Sequence, residues 1–279
     1  MSIDLGEPLL THFGASRSNG PRILILPALG TPARTYRRLC ESLAEIGYAG
    51  AVLEWPGCGA HPLRVSRADD WGYRQLLEDQ VLPAIEAVAN VGPGDPGQVV
   101  LLGHSLGAHL ALMARAHHVK NVAGIIAIAA GTPYYRVFQF PARQALLYLI
   151  GAVKISVFLL GFFPGNRLGF GGREPRTLIQ EWAAFARTGQ LRVEQRDVLH
   201  VDSGSSTMPV RALSLARDIY APPAAAENLL ACAGLPATLV ECVQDPQVHG
   251  HFHWLRTPQA SARVIEACLQ NIISPKRLG

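Results

Sequence analysis

Charge is scarce in this chain: Asp, Glu, Lys and Arg make up 16 % of its 279 residues, against 49 % hydrophobic. That balance argues against disorder and leaves enough apolar mass for one large α/β domain or two small ones. The net charge of +4 is mild. No Lys/Arg run and no interleaving of basic with aromatic residues occurs, so nucleic acid is not an expected partner. Cysteine is sparse too. Cys40, Cys58, Cys232, Cys242 and Cys268 are odd in number and lack paired spacing, which points to reduced thiols in a cytoplasmic protein rather than to a disulfide frame. Met1 to Gly20 has no basic start followed by an apolar core, so no signal peptide is expected. Internal repeats and low-complexity tails are also absent.

One long hydrophobic run stands out. Ala145 to Phe163 approaches the length of a membrane span, but Lys154 falls at its middle and Gly151, Ser156 and Gly161 interrupt it. A charge there costs about 2.5–3.5 kcal/mol on insertion scales. An all-round apolar helix must be buried somewhere, so the run is expected to cap the active site, with peripheral membrane contact as the weaker alternative.

Apolar runs at Arg22–Leu26, Ala49–Glu54, Gln98–Leu102, Val122–Ile128, Val210–Ala216 and Ala237–Val243 read as strands. Helical spacing covers Tyr36–Ile46, Tyr73–Ala89 (where Pro83 should kink or break it), Ala108–Arg115, Thr177–Thr188 and Pro258–Ile272. Strands alternating with helices imply a parallel sheet covered on both faces. About eighty residues between Ile128 and Val210 fall outside this rhythm, too many for a loop. They are expected to form an inserted lid.

Gly103-His104-Ser105-Leu106-Gly107 is the most informative stretch. A G-x-S-x-G pentad between a β-branched run and a helix-forming run is the context of a nucleophile elbow. The serine sits on a tight, strained turn, and a Cβ at either flanking glycine would clash with the neighbouring strand or helix.

On these residues the chain resembles the α/β-hydrolase superfamily. Leu26-Pro27-Ala28-Leu29-Gly30 is similar to its oxyanion loop, and Glu54-Trp55-Pro56-Gly57-Cys58-Gly59 to its D-x-x-G-x-G turn. More narrowly, Phe163-Pro164-Gly165, Leu168-Gly169, Trp182 and Gly250-His251-Phe252 through Trp254-Leu255-Arg256 resemble a branch of serine hydrolases of undefined substrate. The chain departs from that branch in carrying a single acid, Asp218, where an acidic pair is common. The resemblance implies a mostly parallel sheet with helices on both faces and a helical lid between the sixth and seventh strands. Residues 1–132 and 208–279 would form the core, and 133–207 the lid.

A serine hydroxyl needs a base, and the base needs a partner that fixes its tautomer. In this fold the chain order is Ser, acid, His. Asp218, directly after the strand Val210–Ala216, is the expected acid, with an Asp that opens a turn or caps the next helix as the weaker alternative; Asp202 and Asp245 are weaker candidates for the acid. Within His249-Gly250-His251-Phe252-His253, the branch pattern favours His251 as base, with His249 as runner-up. No carboxylate or cysteine completes a metal set with these histidines, so neither metal nor cofactor is expected. The resemblance also implies an oxyanion hole from the backbone N–H groups of Leu29 and Leu106. His104 and His109 are expected to pack or to line the pocket. His104, Tyr134, Phe158, Phe162 and Phe163 are the candidate substrate contacts, and the lid's aromatic content suggests a small-molecule substrate with an apolar acyl or aryl group. An ester or thioester hydrolase is the leading expectation. An acyltransferase with the same triad is the nearest alternative, and a non-hydrolytic lyase or a binding protein lies further off.

Overall fold

The computed structural model describes residues 3–14, 20–91, 97–200 and 208–273. Its centre is a seven-stranded sheet. In chain order the strands are β1 (Leu9–Phe13), β2 (Arg22–Leu26), β3 (Gly50–Glu54), β4 (Val99–His104), β5 (Val122–Ile128), β10 (Val210–Ser214) and β11 (Val240–Cys242). Their spatial order is β1-β3-β2-β4-β5-β10-β11. All neighbours are parallel except β1, which runs antiparallel to β3 at the edge.

The period of two along each strand divides the core between the faces. Leu24, Leu26, Leu101, Ile125 and Ala127 join one cluster, with α4 (Leu106–Ala116) and α8 (Pro223–Cys232). Ile23, Ile25, Val100, Leu102, Ile126 and Ile128 join the other, with α1 (Arg37–Glu45) and α9 (Pro258–Ile273). Both faces are therefore covered, as continuous apolar strands require.

The segment over 73–89, where Pro83 was expected to kink or break the helix, is divided. It comprises α2 (Tyr73–Gln75), a π-helical turn (Leu76–Val81) and α3 (Leu82–Ala89), with Pro83 in the first turn of α3. Proline has no N–H for the carbonyl four residues back and its ring crowds that turn, so the wider turn relieves both.

Between β5 and β10 lies the insert: α5 (Ala142–Leu160), β6 (Phe162–Pro164), α6 (Gly165–Leu168), β7 (Arg173–Pro175), α7 (Arg176–Thr188), β8 (Arg192–Val193) and β9 (Arg196–Asp197). Residues 201–207 at its end lie outside the described ones. In chain order it follows the fifth of the seven described central strands, not the sixth. Polar contacts hold it to the body. The Thr177 N–H and hydroxyl each donate to Asp70 at 2.7 Å, and Tyr73 N–H donates to Glu181 at 2.8 Å.

The expectation that the apolar run is wholly buried is not met. Ile150, Val153 and Val157 of α5 pack into the core, whereas Leu147, Tyr148, Ile155, Phe158 and Leu159 are exposed. Only 17 % of the most apolar stretch of that helix is buried.

Candidate active site

Ser105 stands between β4 and α4 with φ 52° and ψ −112°, a conformation L-residues rarely adopt. The flanking glycines make it feasible. A Cβ at Gly103 would lie 2.5 Å from Cα of Ala108, and one at Gly107 would lie 2.0 Å from the Leu26 carbonyl oxygen. Both contacts are with backbone, which cannot yield cheaply. The Ser105 N–H donates to the Ile128 carbonyl at 3.3 Å, tying the turn to the next strand.

The loops after β10 and β11 meet at a parallel bridge between Ala216 and His249. The Gly250 N–H adds a 2.7 Å bond to the Ala216 carbonyl, and Gly250 takes φ +61°. This junction brings Asp218 and His251 together across 33 residues of chain. The buried Asp218 carboxylate accepts N–H bonds from Tyr220 at 2.9 Å and Ala221 at 3.0 Å through Oδ1. Its Oδ2 lies 2.9 Å from Nδ1 of His251. A carboxylate accepts, so Nδ1 is the donor and Nε2 is left as the free acceptor. Trp254, fully buried, donates its indole N–H to the His251 carbonyl at 3.0 Å and steadies the loop. His249 instead stacks on His253, ring centroids 4.0 Å apart. Asp245 closes a turn onto the Gln247 N–H, and Asp202 lies outside the described residues.

A second histidine supports the site from beneath. The Tyr36 hydroxyl accepts the Ala28 N–H at 3.0 Å and lies 2.7 Å from Nδ1 of His104. The His104 ring touches those of His251, Phe252 and Trp254. Burial, then the neighbouring His251, holds its pKa well below the usual histidine value, so His104 is neutral. Glu54, at the end of β3, accepts the Ala33 N–H at 2.9 Å and the Ala60 N–H at 3.1 Å, which joins the loops after β2 and β3. A Cβ at Gly30 would lie 2.0 Å from the Gly172 N, so the insert rests directly on the loop that carries Leu29.

Ser105, Leu106, Leu29 and His251 all line one cavity of about 420 Å³. Its remaining walls are largely apolar, among them Phe138, Leu146, Leu149, Phe170, Trp182 and Tyr220. Body and insert thus share it. His109 also borders it, with Nε2 donating to the Gly131 carbonyl at 3.1 Å and Nδ1 facing the Tyr73 hydroxyl; burial lowers its pKa to about 4. Among the described residues, no group of three His, Cys, Asp or Glu side chains is placed to hold a metal ion.

The profile of the alpha/beta hydrolase family matches residues 23–267. The chain belongs to that family. A probable esterase, PIR7A, of Oryza sativa subsp. indica is 32 % identical over 114 residues, 41 % of this chain and 40 % of that protein. The chain thus matches well under half the length of this relative. A lipase-esterase related protein from Clostridium acetobutylicum has a similar fold, with TM-score 0.60, 14 % identity and coverage of 94 % and 99 % of the two chains. The enol-lactonase from Burkholderia xenovorans gives TM-score 0.59, 15 % identity and coverage of 94 % and 96 %. At such identities these two likenesses concern the fold.

In this α/β hydrolase the five residues expected to contact substrate lie elsewhere. Phe158 is 82 % exposed on the outward face of α5, and Phe163 is fully buried in the core. Phe162 is half-buried beneath the Arg173 guanidinium, 3.7 Å from its ring centroid. Tyr134 packs against Gly189 and Tyr135, and His104 is sealed below His251. None of the five lines the cavity. Phe158 could not be placed from sequence because a helix apolar on every side carries no phase, and Phe162 and Phe163 fall on β6 beyond that helix. Leu146 and Leu149 were discoverable only from how α5 docks. Phe252 and Trp182 sat inside quoted motifs without an assigned contact.

Proposed function

We propose that this α/β hydrolase is a serine esterase or thioesterase for substrates with an apolar acyl or aryl group. The observation that carries the reading is the Asp218–His251 pair, whose free imidazole nitrogen shares one apolar cavity with the strained Ser105. In the proposed cycle the Ser105 hydroxyl oxygen attacks the substrate carbonyl while Nε2 of His251 takes its proton. Asp218 stabilises the imidazolium that results. The N–H groups of Leu29 and Leu106 would stabilise the oxyanion; Leu106 opens α4, where first-turn N–H groups lack helical partners. The tetrahedral adduct expels an alcohol or thiol, which receives the proton from His251 and leaves an acyl-serine. Water then adds to that ester with His251 as base, and the collapse regenerates Ser105 and releases a carboxylic acid.

The partial match to a rice probable esterase supports ester chemistry over lyase or binding roles. The apolar walls support an acyl or aryl group over a sugar. The test is labelling with a fluorophosphonate, read by intact mass, beside turnover of aryl esters of graded chain length. A single adduct that is lost in Ser105→Ala, together with ester turnover, is the expected result. Unlabelled, folded protein without ester turnover would overturn the reading. Added alcohol or thiol acceptors extend the same assay to acyl transfer.

A further inference from the structure

We infer that the outward face of α5 docks the protein onto an anionic phospholipid surface. Tyr148, Ile155 and Leu159 recur at seven and four residues and so share one side of the helix, flanked by Leu147 and Phe158. Ile150, Val153 and Val157 occupy the opposite side and pack into the core. The exposed side is large and aromatic where surface helices are normally polar: Tyr148 is 79 % and Phe158 82 % exposed, and Phe140, just ahead of the helix, 79 %. An exposed apolar stripe of this kind marks an interaction site.

Charge selects the occupant. From residue 96 to residue 173 the sequence contains no Asp or Glu, while the insert up to that point carries Arg136, Arg143, Lys154, Arg167 and Arg173. Lys154, Arg167 and Arg173 are exposed, with no carboxylate paired to them among the described residues. A second copy would set cations against cations. An anionic bilayer satisfies both the apolar stripe and the unpaired cations of the insert, with the Lys154 ammonium of α5 itself reaching the headgroups while its stem lies on the stripe. The helix lies along that surface rather than across it, because its inner face is occupied by the protein core.

The inference concerns binding and does not rest on the proposed hydrolysis, so Ser105→Ala protein should bind as well as the parent. The experiment is flotation with vesicles of phosphatidylcholine alone and of equimolar phosphatidylcholine and phosphatidylglycerol, at low and high salt. Binding to the anionic vesicles, weakened by salt, is expected. Lys154→Glu, a change of two charges, should weaken it roughly thirtyfold at about 1 kcal/mol per charge. Tyr148→Glu/Ile155→Glu should abolish it, with an unchanged thermal melt showing the fold intact. Absence of binding to either vesicle overturns the inference, as does binding that survives these substitutions. A dimer that the double variant dissociates, without vesicle binding, overturns it in favour of a second copy.

Discussion

The Tyr36 hydroxyl lies 2.7 Å from Nδ1 of His104 and at the same time accepts the Ala28 N–H. One buried phenol thereby ties the loop that carries Leu29 to the residue preceding Ser105. Tyr36→Phe leaves the Ala28 N–H and His104 Nδ1 both unpaired in a dry environment. A loss of roughly 1–3 kcal/mol in denaturant stability is expected, with kcat falling more than KM changes. Stability and kcat equal to the parent's would show the contact to be idle.

Asp218→Asn keeps an oxygen for the Tyr220 and Ala221 N–H groups, so the turn should persist. The amide can offer His251 Nδ1 a donor, which favours the wrong tautomer. A drop in kcat of roughly three to four orders of magnitude is expected, by analogy with the equivalent change in serine proteases. Ester kinetics measure it directly, and a variant that kept a tenth of the parental kcat would show that Asp218 does not serve His251 in the proposed cycle.

Ser105 stores backbone strain at φ 52° that glycine would not incur. Ser105→Gly and Ser105→Ala should both be inactive, yet only glycine relieves the strain. The glycine variant is expected to be more stable than the alanine variant by about 1 kcal/mol, after its extra unfolded-state entropy is counted. Urea titration of the pair decides it; the reverse ranking would mean that the elbow is relaxed.

Glu174, buried beneath the Gly171–Gly172 loop, accepts the Gly172 N–H at 2.6 Å, and desolvation raises its pKa to about 7. The folded protein therefore holds a proton that the unfolded chain has released above the ordinary glutamate value of 4.5. The resulting stability is complete below that value and is lost as pH rises through about 7. Glu181, also raised to about 7 by burial, acts in the same direction. Glu174→Gln should match the parent near pH 5 and exceed it near pH 8 by on the order of 1–3 kcal/mol. Parallel stability–pH curves for the two proteins would contradict this.

Substrate length should be set by α5 residues that face the cavity, not by the aromatic residues after it. Leu149→Trp is expected to lower kcat/KM for octanoyl esters at least several-fold more than for acetyl esters. Leu146→Ala should do the opposite. Equal effects on both esters would place the acyl group elsewhere in the cavity.

Most strand positions and the strained turn at Ser105 were legible in the sequence because each depends on local physics. The runs at Arg22–Leu26 and Val122–Ile128 form strands over those residues, since apolar β-branched segments bury both faces wherever the chain goes. Gly103 and Gly107 announced the elbow because no larger residue fits against the backbone there. The short strand β1, largely exposed at the sheet edge, carries no periodic apolar signal. Ala237–Val243 was expected as strand throughout but begins as a 3₁₀ turn, leaving Val240–Cys242 to pair with β10.

Tertiary structure alone decided the relationships between distant segments. That His251 rather than His249 meets Asp218 follows from the Ala216–His249 bridge and the left-handed Gly250, which turn the two histidines to different surroundings. Likewise, the composition of Ala142–Leu160 determined a helix, but apolar residues on every side left its rotation undetermined. Packing of Ile150, Val153 and Val157 into the core chose that rotation. The same choice turned Leu146 and Leu149 toward the cavity and left Tyr148, Ile155 and Phe158 facing outward, because a helix acquires an inside only when something packs against it.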